Sequence, residues 1–286
     1  MSITRHYDVS GINIRVHTRH LASEYSALWL MIYRARQYVT HASNALMIGE
    51  AHQDGSTITG FFYRFLEVDT SEPWFDIVKR KKADDEDVQQ VNIPPQLKPN
   101  LVEIPYVFDL DKHCLYFVSH EAAADLSPQM VLKLLKKLTS IAKVKEKFGT
   151  VDLTVLTEHD KVAELLKWPV IRRLTIILER PNATEEEDDE TVFDRLSRRR
   201  LKSETHVYQK EAGASTINID DEMRAQAKSS IDHGVTEVAG KNIKGEPGKA
   251  SSADYPLRMK AMYQPGVQSL RQALIAFVLG LTKRKG

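Results

Sequence analysis

Two pairs of apolar segments, each joined by a short polar turn, set the main constraint on how this chain can fold. ALMIGEAH (45–52) and TITGFFYRFLEV (57–68) flank QDGS, whose Asp54-Gly55 step suits the positive backbone angles of a tight hairpin turn. LVEIPYVFDLDKHCLYFVSH (101–120) repeats the arrangement around Asp111 and Lys112. Such turns join antiparallel neighbours, so an antiparallel arrangement is expected for this part of the chain.

Helices are expected beside that sheet. Ser23 is placed to cap EYSALWLMIYRARQYV (24–39), in which Tyr25, Leu28, Trp29, Ile32, Ala35 and Val39 recur at helical spacing. The strongest helical signal is LSPQMVLKLLKKLTSIAKVKEKFG (126–149), with Ser127 as N-cap, Pro128 at the first helical position and Gly149 beyond the end. TVDLTVLT, DKVAELLKW and IRRLTIILE then read as strand, short helix and strand. The expected class is α+β: a mixed or antiparallel sheet with helices on at least one face, and a smaller C-terminal α+β region. The expected division is an N-terminal α+β domain (1–182), a charged connection with a basic helix (183–204) and a C-terminal region (205–286). Residues 79–100 and KGEPGKASSAD (244–254) read as exposed connections. On the terminal helix Val267, Leu270, Leu274, Phe277 and Leu281 form a narrow stripe suited to self-association or, equally, to packing within the chain.

At 286 residues and 42% hydrophobic, the chain can bury a substantial core. Its longest apolar runs are well short of the roughly 20 residues that span a bilayer, and the N-terminus lacks a signal-peptide core. No membrane insertion and a cytoplasmic location are therefore expected. The single cysteine, Cys114, permits no internal disulfide and agrees with a reducing compartment.

Catalytic motifs are weak. GEPGKASS resembles a phosphate-binding loop, but Ile243 stands where the first glycine belongs and Ala250 where a hydroxyl should follow the lysine. His113, Cys114 and His120 are the nearest approach to a metal cluster, yet alternation on a strand sends His113 and Cys114 to opposite faces. Asp109 and Asp111 could share a face as the carboxylates of a metal-dependent nuclease, although Asp is also common in hairpin turns. No nucleophile elbow is present. No metal and no cofactor are expected, and a non-enzymatic role is favoured.

Charge is more informative. The net charge is only +1, but EEEDDETVFDRLSRRRLK (185–202) sets six carboxylates against a basic cluster. A helix capped near Thr191 would gather Arg195, Arg198, Arg199 and Lys202 within about 100° of arc, with Arg200 turned toward the apolar side. Acids at the start and cations toward the end also complement a helix dipole. On the helix from Ser127 to Phe148, Val131, Leu134, Leu135, Leu138 and Ala142 form the expected buried arc. Lys133, Lys136, Lys137, Lys143 and Lys147 gather on the opposite side. The four cations of the first edge match the spacing of phosphates on a nucleic-acid backbone, and the lysine face adds independent support for a polyanion partner.

The succession YVFDLDKHCLYFVSHEAAADLSPQMVLKLLKKL, VDLTVLTEHDKVAELLKWPVIRRLTIILERPN and a later VTEVAGKN resembles prophage-encoded proteins of the RexA type over about residues 100–285. The resemblance implies a role in exclusion of superinfecting phage, with DNA binding and self-association, and it transfers no catalytic residue. The expected function is a cytoplasmic phage-exclusion protein that binds DNA mainly through its backbone, as a homodimer or with a second defence protein. A metal-dependent nuclease using Asp109 and Asp111, and an adaptor recognising phage components, are the alternatives.

Overall fold

The computed structural model describes residues 4–16, 21–69, 71–91, 93–122, 124–179, 196 and 198–284. The fold is α+β, with seven helices and sixteen strands among the described residues, and every strand pairing is antiparallel.

The large sheet is organised around β1 (Arg5–Val16), twelve residues long and buried on both faces from Val9 onward. Helix α1 (Ala22–Arg34) follows, then β2 (Tyr38–His41), β3 (Asn44–Ile48), β4 (His52–Asp54) and β5 (Thr57–Leu66). A small excursion carries β6 (Phe75–Asp76), β7 (Lys81–Lys82) and α2 (Asp85–Gln89). The chain returns through the hairpin β8 (Val102–Asp109) and β9 (Cys114–Glu121), the short β10 (Ala124–Asp125), α3 (Pro128–Thr139), α4 (Ala142–Phe148) and β11 (Val151–Val155). The sheet order is β11-β1-β9-β8-β5-β3-β2. Both expected hairpins are present, one turning at Gly55 (φ +56°) and one between Asp109 and Cys114.

Helix α1 begins at Ala22, so Ser23 lies within its first turn and is not the cap. Glu24 instead reaches back to accept from the Leu21 N–H at 3.3 Å. Its Tyr25 and Trp29 pack on the face of the sheet that carries Tyr106 and Phe108, and the Trp29 indole N–H donates to the Tyr106 hydroxyl at 2.9 Å. Between β3 and β4 the N–H groups of Gly49 and Glu50 both donate to the Phe61 carbonyl, a bulge that pushes Glu50 toward Gly60.

A second sheet starts after β11. Helix α5 (His159–Leu165) leads to β12 (Val170–Glu179), β13 (Ser203–Gln209), α6 (Asp221–His233), β14 (Gly234–Lys241) and β15 (Pro247–Ser251), in the order β13-β12-β14-β15. Helix α6 covers β12 and β14, and Leu174, Ile176, Leu178, Ala227 and Val238 form a core separate from the first. Strand β15 corrects the expectation of a loose connection at 244–254. The Asn242 side chain accepts from the N–H groups of Lys244 and Glu246, and Gly245 turns at φ +79°, so a glycine- and proline-rich segment closes a hairpin.

The chain then returns to the large sheet through β16 (Met259–Tyr263) and ends in α7 (Leu270–Arg284). Strands β11 and β16 lie end to end along one edge of β1, opposite β9. Where the chain leaves and re-enters, the Leu257 N–H donates to the Leu156 carbonyl at 2.7 Å and Leu156 itself donates to Gly11. The small sheet is thus an insertion into the large one. The division between the two cores falls at about residues 157 and 256, not at 182 and 204 as the sequence suggested. The two sheets are tied by the buried Arg15, whose guanidinium meets the carboxylate of Glu179 on β12 and donates to Thr154 at 2.9 Å.

Helix α7 packs on β8, β9 and β16, and Leu274 and Val278 are fully buried there. Of the stripe expected on this helix, Leu274 is buried and Leu270 and Phe277 pack partly against the core, whereas Val267 is 75% exposed. Among the described residues no helix is long and apolar enough to cross a membrane.

Candidate nucleic-acid interface

Helix α3 is strongly amphipathic. The Ser127 hydroxyl accepts from the Met130 N–H and Pro128 occupies the first turn, as expected. Val131, Leu134, Leu135 and Leu138 are buried, and Lys133, Lys136 and Lys137 are exposed. The helix does not run on to Phe148. The Thr139 hydroxyl donates back to the Leu135 carbonyl and the Ser140 hydroxyl to that of Lys137, satisfying the last carbonyls, and a new helix starts at Ala142. Ala142, expected in the buried arc, is exposed, whereas Val144 and Phe148 are buried. Lys143 and Lys147 thus lie on a separate helix, both exposed, with the Lys147 ammonium 5.4 Å from the Phe148 ring centroid.

Helix α3 contacts both ends of the sheet order, β11 and β2, so it closes the gap left by the curled sheet. Its lysines complete the closure at β2. Lys133 donates to the Thr40 carbonyl at 2.7 Å and Lys137 to the Tyr38 carbonyl at 2.8 Å. Tyr38 and Thr40 are two residues apart on the outermost strand, so both carbonyls point away from β3.

Beside these lysines lies a cavity of about 570 Å³ lined by Arg36, Gln37, Tyr38, Val39, Thr40, Lys133 and Lys137. Arg36 takes a left-handed conformation (φ +51°) between α1 and β2. None of these lining residues is acidic. An ammonium has three donors, and each lysine gives one to a neutral carbonyl, so its position is fixed while its charge and its other donors remain. That is the electrostatic condition for holding a phosphate.

The basic cluster at 195–202 is arranged differently from the expectation. Arg195 lies outside the described residues. Leu196 is buried and Arg198 and Arg199 are exposed. The helical turn stops there, because Arg200 adopts φ +54° and the Leu201 N–H donates to the Leu196 carbonyl at 2.9 Å, a left-handed C-terminal cap. Lys202 is therefore off the helix, and its ammonium pairs with the Asp152 carboxylate at 2.8 Å, which offsets its charge. The ion pair places the turn beside the start of β11. Asp152 is five residues from Lys147, a chain distance of at most about 18 Å.

The family model of a domain of unknown function (DUF4747) matches residues 5–279. The chain belongs to this family. No curated protein matches it. The DUF4747 match runs through both sheets and the inserted segment, so the insertion is within the family's span.

The other candidates in this DUF4747 chain have structural roles. Asp109 is buried, and its Oδ1 accepts from the N–H groups of Asp111 and Lys112 at 3.1 and 3.0 Å, which builds the β8–β9 turn. His113 is buried and stacks on Tyr25 with ring centroids 3.7 Å apart, and Cys114 is buried at the start of β9. No group of three or more His, Cys, Asp and Glu side chains suited to a metal occurs among the described residues. Arg36 is the site residue that sequence reasoning missed. It follows α1 in a segment read as the end of that helix, and only the pairing of β2 with distant α3 gives it a role.

Proposed function

We propose that this chain is a cytoplasmic, non-enzymatic DNA-binding protein of the phage-exclusion type, which engages duplex DNA mainly through backbone phosphates. The observation that carries this reading is the Arg36–Lys133–Lys137 cavity, where two ammonium groups are held by neutral carbonyls and no carboxylate competes. Lys136, Lys143, Lys147, Arg198 and Arg199 add exposed cations along the adjoining helices and turn. The likeness of residues 100–285 to RexA-type prophage proteins supports the setting in phage exclusion.

The test is a gel-shift titration with duplex and single-stranded DNA at two salt concentrations. Affinity should fall steeply with salt, by about 0.9 in the log–log slope for each phosphate neutralised. Charge reversal at Arg36, Lys133 and Lys137 should weaken binding at least about tenfold and flatten that slope by roughly two units or more. Unchanged affinity in a folded triple variant would overturn the reading.

A further inference from the structure

The excursion between β5 and β8 carries the most exposed apolar side chains of the described chain. Strands β6 and β7 pair only with each other, over two residues, and belong to neither larger sheet. A two-stranded hairpin of this size has no core of its own. It is nevertheless well braced. Asp76 accepts from the N–H groups of Val78 and Lys79, the Ala83 N–H donates to the Trp74 carbonyl at 2.7 Å, and Lys79 bridges Asp84 and Asp87 at 3.2 and 2.8 Å. The braced tip holds Phe75, Ile77 and Val78 at 67%, 79% and 88% exposure.

The charges around the tip say what should cover it. Between Trp74 and Asp87 there are four basic and five acidic side chains, so the arm has no net attraction for a polyanion or an anionic membrane. The two signs are nonetheless segregated, with cations on and before β7 and acids on and before α2. Lys79 and Lys81 are neutralised by Asp84 and Asp87 within the arm, whereas Arg80, Lys82, Asp85 and Glu86 are exposed and make no ion pair among the described residues. A free basic pair next to a free acidic pair, beside an apolar knob, is a self-complementary surface.

We propose that this arm is a two-fold interface with a second copy of the chain. Arg80 and Lys82 of each copy face Asp85 and Glu86 of the other, and Ile77 and Val78 of the two copies bury one another. On the terminal helix Leu274 is buried and Leu270 and Phe277 pack partly against the chain's own core, so the arm offers a self-association surface apart from that helix.

Sedimentation equilibrium on the full chain tests it. The wild type should associate to a dimer. Ile77→Asp with Val78→Asp should raise the dimer dissociation constant at least about tenfold without changing the melting temperature, since both side chains are exposed. Arg80→Glu with Lys82→Glu, and separately Asp85→Lys with Glu86→Lys, should each be monomeric, because both contacts become repulsive. Mixed in equal amounts, the two charge-reversed chains should form a heterodimer, because both contacts are then attractive. A wild type that stays monomeric at every concentration, a dimer that survives the Ile77/Val78 change, or reversed chains that melt like wild type yet fail to pair on mixing would overturn the proposal.

Discussion

The Lys137 ammonium lies 2.8 Å from the Tyr38 carbonyl, across the open edge of the large sheet. With Lys133 on Thr40, it satisfies backbone acceptors that would otherwise be free to pair with another strand. A single pair of side chains thus protects an edge and supplies the cations of the proposed anion site.

Replacing Lys133 and Lys137 by methionine should separate these two roles from global folding. The bonds are solvent-exposed, so each contributes about 1 kcal/mol or less. Hydrogen exchange at β2 should speed up clearly while the buried β1 and β9 stay protected. Equal loss of protection throughout the sheet would show that the edge is not a local unit.

Glu179→Ala should be among the more damaging single changes on the small sheet. It leaves the Arg15 guanidinium, 2% exposed, without its carboxylate, and breaking a buried pair costs about 3 to 5 kcal/mol. Glu179 is 31% exposed and Arg15 keeps Thr154, so the lower end of that range is expected. Urea unfolding checks the value, and Arg15→Met with Glu179→Met should recover much of it.

Gly60→Ala tests the bulge. A Cβ at this position would stand 2.1 Å from the Glu50 carbonyl oxygen and 2.8 Å from the Tyr106 hydroxyl, which itself donates to that carbonyl at 2.6 Å. Backbone must shift to admit it. A loss of about 1 to 3 kcal/mol is expected in thermal or denaturant melts, and a neutral result would mean that the Glu50 loop yields freely.

Alkaline stability should depend on Tyr7. Burial pushes its hydroxyl up to about 12, against about 10 in an unfolded chain. Its folded value is the higher one, so its contribution is complete below pH 10 and is lost as pH rises toward 12. Tyr7→Phe should flatten the fall in stability across that window, measured by denaturant midpoints at successive pH values. An unchanged profile would assign the alkaline loss to the other buried tyrosines.

Much of the fold was legible because its signals are local. Asp54-Gly55 and the Asp111 turn marked both hairpins, and Ser127-Pro128 marked the start of α3. The break at Ser140 was not legible, since the lysine and apolar spacing continues across it while the backbone of Ile141 turns extended and the Ser140 hydroxyl bonds the Lys137 carbonyl. Strand β15 was hidden by glycine, proline and lysine, which a sheet edge tolerates. The insertion was hidden for a different reason. Ser10 donates to the carbonyl of Leu257 and Arg15 meets Glu179, contacts between residues far apart in sequence that periodicity cannot register. The candidate site was half visible, because the lysines follow from helical spacing while Arg36 depends on where β2 docks.

The junction at Leu156 and Leu257 has a mechanical consequence. Both strands that carry the small sheet, β11 and β16, are hydrogen-bonded to successive stretches of the same edge of β1, so a load on the small sheet is delivered to that one strand. The strand buried in the main core is thereby also the one that bears the attachment of the small sheet.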